Sequence, residues 1–525
     1  MATATTTGEI RIRRVSRGIL ANVLGQGITA CTQIILVPVF LERWGKQLYG
    51  EWLTLSAFVA YLAIIDFGMQ NFVVNRLNQC YVTGDLRRHA RVLQSALCLS
   101  LVVSLAVILL AAPLLSFAPI GRWFHFSVTS QRTASAVAIL LMLQVVFAVP
   151  NGLIGGIYRS VGEYPRGQMI TNGRNLAALC LSIAAVVAGG EPLAVACAQL
   201  AALVLASGFM WWDLGHRHSE IRLGVRDADW RLALSFLGPS SLFFLIQLSM
   251  VLTLQGSTIL VSAVVGAASV ALFVPLRTLA NLVRQVIGAM FSALWPEFTA
   301  LEASRQYGVL RQAHLFAAKV LVTLSAAAAI FLHFAGRDIV TFWTHNRIAY
   351  DPALMDAFLA LVLSQAVWLA SSLVLASSNN HRQMALANLV ASATGLALGY
   401  AGLHRFGLPG LLYGIWIAEF SVMGMVVVVK ACMLLGQNLA QFAFEIPLRG
   451  LLVPLFLYVL LRGVANAMAG DGHPLWRVMC LGCASAAGAL TLAYCFYLGR
   501  AEKARVKTWL RHCLAEAEVR ADPAF

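Results

Sequence analysis

The sequence is poor in charge, and in acidic residues most of all. Charged residues make up 12% of the 525 residues and hydrophobic ones 59%, with 23 acidic against 38 basic side chains. A soluble protein of this length would carry more charge and would lack repeated apolar runs of about 20 residues. The composition therefore predicts an all-α polytopic membrane protein without a separate soluble domain.

Enzyme signatures are absent as well. The sequence contains no Walker A loop, no G-x-S-x-G elbow, no H-E-x-x-H motif and no His/Cys cluster with metal-ligand spacing. Ten cysteines are scattered mostly through apolar runs, and one close pair, Cys480 and Cys483, lies inside a predicted helix. Such cysteines are typical of packing positions rather than of a disulfide framework or a redox site. We expect a protein that is not an enzyme and uses neither a cofactor nor a metal.

The surplus of basic residues has a membrane explanation. In a soluble protein, a formal net charge of +15 would suggest a nucleic acid partner. Here the bias of Lys and Arg toward cytoplasmic loops and the attraction to anionic leaflet lipids account for most of it. The expected partner is the lipid bilayer, and no nucleic acid.

The apolar runs, and their breaks at Gly, Pro and charge clusters, predict about fourteen helices. The helices are expected near 18–41, 49–75, 92–118, 132–158, 169–189, 191–213, 233–257, 264–296, 312–335, 356–378, 383–403, 408–430, 446–468 and 475–499. The basic N-terminus precedes a run that is too long for a signal peptide, which predicts an uncleaved first helix.

A weak internal repeat divides these helices. The segment around Gln168 resembles the segment around Gln383, an offset of 215 residues. Two six-helix halves in the same orientation fit parallel repeats about an axis along the membrane normal. The predicted domains are a tail at 1–17, a six-helix bundle at 18–213, a connector at 214–232, a second six-helix bundle at 233–430, two additional helices at 431–499 and a tail at 500–525.

The loops differ in basic charge between the two sides of the membrane. Loops on the side of the N-terminus carry 25 Lys and Arg residues, and the opposite loops carry 9. Because basic loops stay in the cytoplasm, both termini are expected there, which agrees with an even number of helices.

Four cations remain inside the predicted spans: Arg174, Arg277, Arg284 and Lys319. Arg277 and Arg284 are seven residues apart, close to two helical turns, so they share one helix face with Asn281. A charge at membrane depth costs a few kcal/mol, so such residues usually face a protein interior or a wet cavity. The alternative for Arg174 and Lys319 is that they snorkel to the cytoplasmic headgroups.

Two acidic residues in spans are candidates for coupling transport to a cation or proton. Glu419 is the deepest acidic residue, and Asp66 stands near Gly68 and Gln70 toward the end of its helix. Glu419 can equally be a neutral glutamic acid satisfied by a neighbouring helix. For Asp66 the alternative is a local polar contact or a role in helix packing.

The segment Tyr49 to Asp85 carries a resemblance to a known family. Its matching features are Tyr49-Gly50-x-Trp52, Asp66-x-Gly68 and the Gly84-Asp85 loop. The segment resembles the polysaccharide transporter family of bacterial inner membranes, which includes flippases for O-antigen and other lipid-linked oligosaccharides. That family belongs to the multidrug/oligosaccharidyl-lipid/polysaccharide exporter superfamily. The resemblance implies two six-helix bundles, with two further helices in some members.

The resemblance implies movement of undecaprenyl diphosphate-linked glycan to the periplasmic leaflet by alternating access, for assembly of O-antigen, capsule or exopolysaccharide. Polymerase and chain-length proteins of that pathway would then be partners. A guanidinium binds phosphate oxygens bidentately, so Arg277, Arg284, Asn281, Arg174 and Lys319 become candidate diphosphate ligands in a cationic cavity.

Two other functions stay open. A drug/cation antiporter of the same superfamily would favour an acidic cavity. A membrane-embedded polymerase or ligase usually carries a large periplasmic loop, whereas the longest outside loop expected here, Gly336 to Met355, has about twenty residues.

Overall fold

The computed structural model describes residues 2–378, 381–448, 452–468, 474–492, 494 and 503. These residues form helices and no strand. The α-helices are α1 (Ala2–Ala60), α2 (Met69–Val82), α3 (Leu86–Phe117), α4 (Ile120–Trp123), α5 (Gln131–Ser160), α6 (Tyr164–Val187), α7 (Pro192–Arg217), α8 (Trp230–Ser235), α9 (Leu237–Val264), α10 (Ala267–Ala303), α11 (Tyr307–Trp343), α12 (Pro352–Ser377), α13 (His381–Ala418), α14 (Met425–Leu434), α15 (Leu439–Ala443), α16 (Leu452–Ala467) and α17 (Pro474–Leu492).

The number of membrane spans agrees with the sequence. Eleven described helical segments are long and apolar enough to cross a membrane. Two of these, Leu20–Asp66 and Arg382–Leu434, contain a glycine with non-helical backbone and so hold two spans each. The shorter apolar helix α16 brings the described part of the chain to about fourteen spans. The predicted class, an all-α polytopic membrane protein, is confirmed. The predicted tail at 500–525 lies outside the described residues except for Lys503.

Two predicted loops are wrong in extent. Between the first two spans, and between the spans near 383–403 and 408–430, helix continues on both sides of a single residue. That residue is Gly45 (φ 71°) in the first case and Gly407 (φ 67°) in the second. Glycine adopts positive φ without a steric penalty, so one residue redirects the chain where the hydropathy pattern predicts a loop.

The predicted helix at 49–75 is also wrong, because it is broken. After α1, residues Tyr61–Asp66 form a 3₁₀-helix, and Phe67 (φ 49°) and Gly68 (φ 66°) both adopt the left-handed conformation before α2 begins. The break is buttressed by α9: the Phe67 and Phe244 rings stack at 5.4 Å, and Gln247 Nε2 donates to the Ala63 carbonyl at 2.9 Å. A side chain of α9 thus donates to a backbone carbonyl of the 3₁₀-helix that precedes the break.

The first of two compact units comprises Met1–Leu282, Trp343–Leu354 and His381–Val422. Its core includes an aromatic cluster in which Phe40 stacks on Trp44 at 4.6 Å and Trp52 meets Trp44 edge-on at 6.0 Å. A Cβ on Gly50 would overlap the Ala267 carbonyl, so glycine allows α1 to approach the start of α10. The Tyr49-Gly50-x-Trp52 motif thus contributes to helix packing.

Glu51, inside the same motif, is fully buried. Its carboxylate accepts backbone N–H bonds from Ser127, Val128 and Thr129 at 2.7 to 3.1 Å. These bonds fix the loop before α5 to α1. Charge-assisted bonds of this kind offset the cost of burying the carboxylate.

The second unit comprises Val283–Phe342, Met355–Asn380 and Met423–Phe525. Its helices α11 and α12 meet at the buried His314, whose Nδ1 and Nε2 each lie 2.9 Å from an oxygen, of Gln437 and Ser371 respectively. Gln437 Nε2 donates to the Arg311 carbonyl, so its Oε1 faces the imidazole and Nδ1 carries the proton. This neutral, satisfied histidine joins three segments of the unit.

Candidate functional site

The first unit contains a polar cavity among α5, α6 and α7, which we call the N-terminal cavity. Its volume is about 230 Å³. Its polar lining consists of Asn151, Tyr164, Gln168, Thr171, Arg174 and Ser207. Gly152, Gly155 and Gly167 also line it. A Cβ would meet open space at Gly155, whereas at Gly152 and Gly167 it would overlap Gln70 and Tyr158. A polar cavity of this volume within a membrane helix bundle is suited to a hydrophilic ligand.

Arg174 is the charged residue of this cavity, and no acidic residue is among its lining residues. It follows the first residue of α6 by ten positions, which corresponds to about 15 Å along the helix. The half-buried guanidinium donates to Asn175 Oδ1 through Nε at 3.2 Å and Nη2 at 2.9 Å. Among the described residues no carboxylate pairs with it. Of the two interpretations for Arg174, the geometry favours a cavity residue over a snorkelling one.

A second basic residue, Arg159, lies beside the cavity lining at the N-terminal end of α6. The exposed Arg159 guanidinium lies over the Tyr164 ring, 6.0 Å from its centroid. Tyr164 is the first residue of α6 and Arg174 lines the same cavity further along the helix. An anion approaching this end of α6 therefore meets positive charge both at the helix end and deeper in the cavity.

Arg277, the strongest candidate from the sequence, is half-buried on α10 in the first unit. Its Nη1 donates to the Leu254 carbonyl at 2.7 Å and to Thr258 Oγ1 at 2.8 Å, both on α9. Its Cζ lies 5.5 Å from the centre of the Phe273 ring. Arg277 thus ties α10 to α9, a role that the sequence did not reveal. Asn281 is half-buried one turn further on.

The other two candidate cations belong to the second unit. Arg284 is half-buried on α10 beyond Leu282. Lys319 on α11 lies 3.9 Å from Glu445 Oε2, so its charge has a carboxylate partner. That pairing weakens the case for Lys319 as a phosphate ligand.

The two candidate coupling acids both lie where a helix is irregular. Asp66 ends the 3₁₀-helix before the break, and its Oδ1 is buried with no hydrogen-bond partner among the described residues. Glu419 is half-buried and begins a π-helical segment, Glu419–Gly424, between α13 and α14. Irregular backbone inside membrane helices is often found at functional positions. Sequence periodicity carries no signal for either irregularity.

Comparisons with known proteins fit this architecture. No protein-family model and no curated protein sequence matches the chain. Its structure is similar to the lipid II flippase MurJ in an inward closed conformation, with a TM-score of 0.70, 12% identity, and coverage of 91% of this chain and 99% of that chain. An inward-facing multidrug resistance MATE family transporter of the MOP superfamily gives a TM-score of 0.66 and 17% identity, covering 79% of this chain and 98% of the other. An outward-facing MATE family transporter gives 0.56 and 17%, with 82% and 96% covered.

The fold and the comparisons define the class. The chain is a multi-pass membrane protein with the fold of MOP-superfamily transporters. The fold implied by the Tyr49–Asp85 resemblance is therefore the fold that the structure has. These structural neighbours are transporters and a flippase rather than enzymes.

Proposed function

We propose that the protein is a flippase that moves undecaprenyl diphosphate-linked oligosaccharide across the bacterial inner membrane for surface polysaccharide assembly. The observation that carries the proposal is the cationic N-terminal cavity, where Arg174 lies at membrane depth without an acidic partner among the described residues. A charge in such a place costs a few kcal/mol unless it is compensated. An anionic ligand supplies the compensation.

The lining chemistry fits the two polar parts of this substrate. The planar guanidinium of Arg174 can bind two phosphate oxygens at once and stays charged at any physiological pH. Asn151, Gln168 and Ser207 offer amide and hydroxyl groups for sugar hydroxyls. The transport cycle is alternating access, with both termini in the cytoplasm, and the coupling acids are Asp66 and Glu419. Partners include polymerase and chain-length proteins of the same pathway.

The rival functions are less well supported. MATE family transporters share the fold, but a cationic drug would be repelled by Arg174 in this cavity. Against a polymerase or ligase, the segment between α11 and α12 is only 344–351, shorter than the expected loop at 336–355. A loop of that size leaves little room for a catalytic site outside the membrane.

The experiment is complementation of a deletion strain of the source bacterium. Deletion is expected to abolish surface glycan and to cause lipid-linked oligosaccharide to accumulate at the inner leaflet. Wild-type protein and Arg87→Gln, which removes an exposed charge, should restore display, and Arg174→Ala should reduce it at least tenfold at equal protein abundance. If the deletion strain instead keeps its surface glycan and becomes more sensitive to cationic drugs, the result would support the antiporter.

A further inference from the structure

A second depression, which we call the α6–α7 groove, adjoins the N-terminal cavity. It has a volume of about 320 Å³ and shares Arg174 and Ala206 with that cavity. Apart from Arg174 every residue that lines it is apolar or glycine. Its large apolar side chains are exposed: Leu205 by 71% and Leu181 by 41%. In a membrane protein such a surface contacts hydrocarbon.

The residue sizes give the groove its shape. Gly173 and Ala177 are four residues apart on α6 and so lie on one face, and Ala202 and Ala206 have the same spacing on α7. These small residues leave space between the helices, which larger side chains such as Leu181 and Phe209 border. The space suits a linear hydrocarbon chain.

We propose that the α6–α7 groove holds the first part of the prenyl chain of the substrate, with its phosphates at Arg174 and its sugars in the N-terminal cavity. This inference rests on the proposed function and deepens it. The order groove, guanidinium, polar cavity matches the order hydrocarbon, phosphate, sugar in a lipid-linked glycan. The charge of Arg174 is complementary to the phosphates.

The depth of Arg174 favours the substrate lipid over a resident phospholipid. A phospholipid keeps its phosphate at headgroup level, and we place that level at the polar start of α6, where Arg166 pairs with Asp213. Arg174 lies eight residues, about 12 Å, further along the helix, so a phosphate bound there lies deeper than those of the surrounding lipids.

The test uses Gly173→Leu, which fills the groove. A Cβ at Gly173 meets no atom within 4 Å, so a side chain at this position starts in open space. The matched control is Gly208→Leu on α7, which is exposed, equally open, and outside the groove lining. Binding of undecaprenyl diphosphate-linked disaccharide in phospholipid nanodiscs should weaken at least tenfold for Gly173→Leu and less than twofold for the control.

A crosslinking arm identifies the occupant directly. A photoreactive residue at Leu181, in the groove, is compared with one at Leu176, which is 47% exposed on the same helix and outside the groove. We expect a prenyl adduct at position 181 at least tenfold above position 176, and its loss in Arg174→Ala. Phospholipid adducts alone, or equal labelling at both positions, would overturn the groove assignment.

Failure of the groove and failure of the proposed function are distinguishable. If Gly173→Leu binds the probe as tightly as the wild type does, the groove assignment falls and the flippase proposal stands. If the wild-type protein does not bind the probe at all, both fall.

Discussion

Arg174 differs from Arg166 and Arg217, near the ends of α6 and α7, in the side chain with which its guanidinium pairs. Arg166 Nε lies 2.8 Å from the buried Asp213 carboxylate, which also accepts the Tyr158 hydroxyl at 2.8 Å. Arg217 lies 3.3 Å from Glu163. Arg174, deeper in the helix, has only the neutral Asn175 amide among the described residues. No carboxylate of the described residues pairs with Arg174, so its charge is available to an anionic ligand.

At the residue scale, Arg277→Ala should abolish surface glycan display at near-normal protein abundance. The substitution removes a membrane-depth cation but also the hydrogen bonds to Leu254 and Thr258, worth about 1.5–3 kcal/mol each for a charged donor. The matched control is Thr258→Val, which loses one of these bonds and keeps the cation. Equal defects in the two variants, measured as displayed glycan per unit of protein, would assign Arg277 to helix packing alone.

A second prediction at this scale concerns Asp66. Its buried Oδ1 has no hydrogen-bond partner among the described residues, which suits a group that gains and loses a proton during transport. Asp66→Asn should leave probe binding within twofold and make translocation in proteoliposomes insensitive to a pH gradient. Glu42→Gln, which removes an exposed acid of α1, should retain the response. A normal gradient response in Asp66→Asn would remove Asp66 from the coupling pathway.

At the scale of elements, the break between α1 and α2 is held in place rather than loose. Gly68 is buried with φ 66°, and a Cβ there would come within 3 Å of Phe243 Cβ and the Phe244 nitrogen on α9. Backbone conformation and helix proximity therefore both require glycine.

Because two separate constraints act on Gly68 and only one acts on Gly84, the two glycines can be compared by the same substitution. Gly68→Ala should destabilise the protein by about 2–4 kcal/mol, through left-handed strain and overpacking. Gly84→Ala has the same kind of strain, at φ 75°, but open space around its Cβ, so it should cost about 1–2 kcal/mol. Thermal unfolding in detergent measures the difference. Equal losses would mean that α9 does not hold the break.

Different physical causes explain why parts of the fold were predictable and others were not. The spans near 132–158 and 191–213 were predicted well because long apolar runs are dictated by the bilayer itself. The break at Phe67 is held by contacts with α9, which local sequence does not encode, and the π-helical segment that begins at Glu419 leaves no signal in the periodicity. For the site, an arginine in an apolar run marks a candidate, but only the packing of α5, α6 and α7 places Arg174 in a cavity. Likewise, only the fold of the second unit brings Lys319 on α11 beside Glu445.

At the scale of the whole molecule, the fold is shared by proteins whose names describe multidrug resistance and lipid II flipping. The fold therefore does not identify the substrate, and the inference about the substrate has to come from the charged residues inside the spans. In the first unit, Arg174 in the N-terminal cavity and Arg277 on α10 are basic, and the candidate coupling acids Asp66 and Glu419 do not line that cavity. The proposed function rests on the positive sign of that cavity, to which an anionic lipid-linked substrate is complementary.

The most direct test is translocation in proteoliposomes that contain the purified wild-type protein. The probe is fluorescent undecaprenyl diphosphate-linked disaccharide, and its accessibility to an external reagent that quenches the fluorophore is measured over time. The account predicts rapid translocation by the wild type, at least tenfold slower translocation by Arg174→Ala and an intermediate rate for Arg174→Lys, which keeps the charge but loses the planar fork. Equal rates in wild type and Arg174→Ala, or transport of a cationic dye in place of the probe, would contradict it.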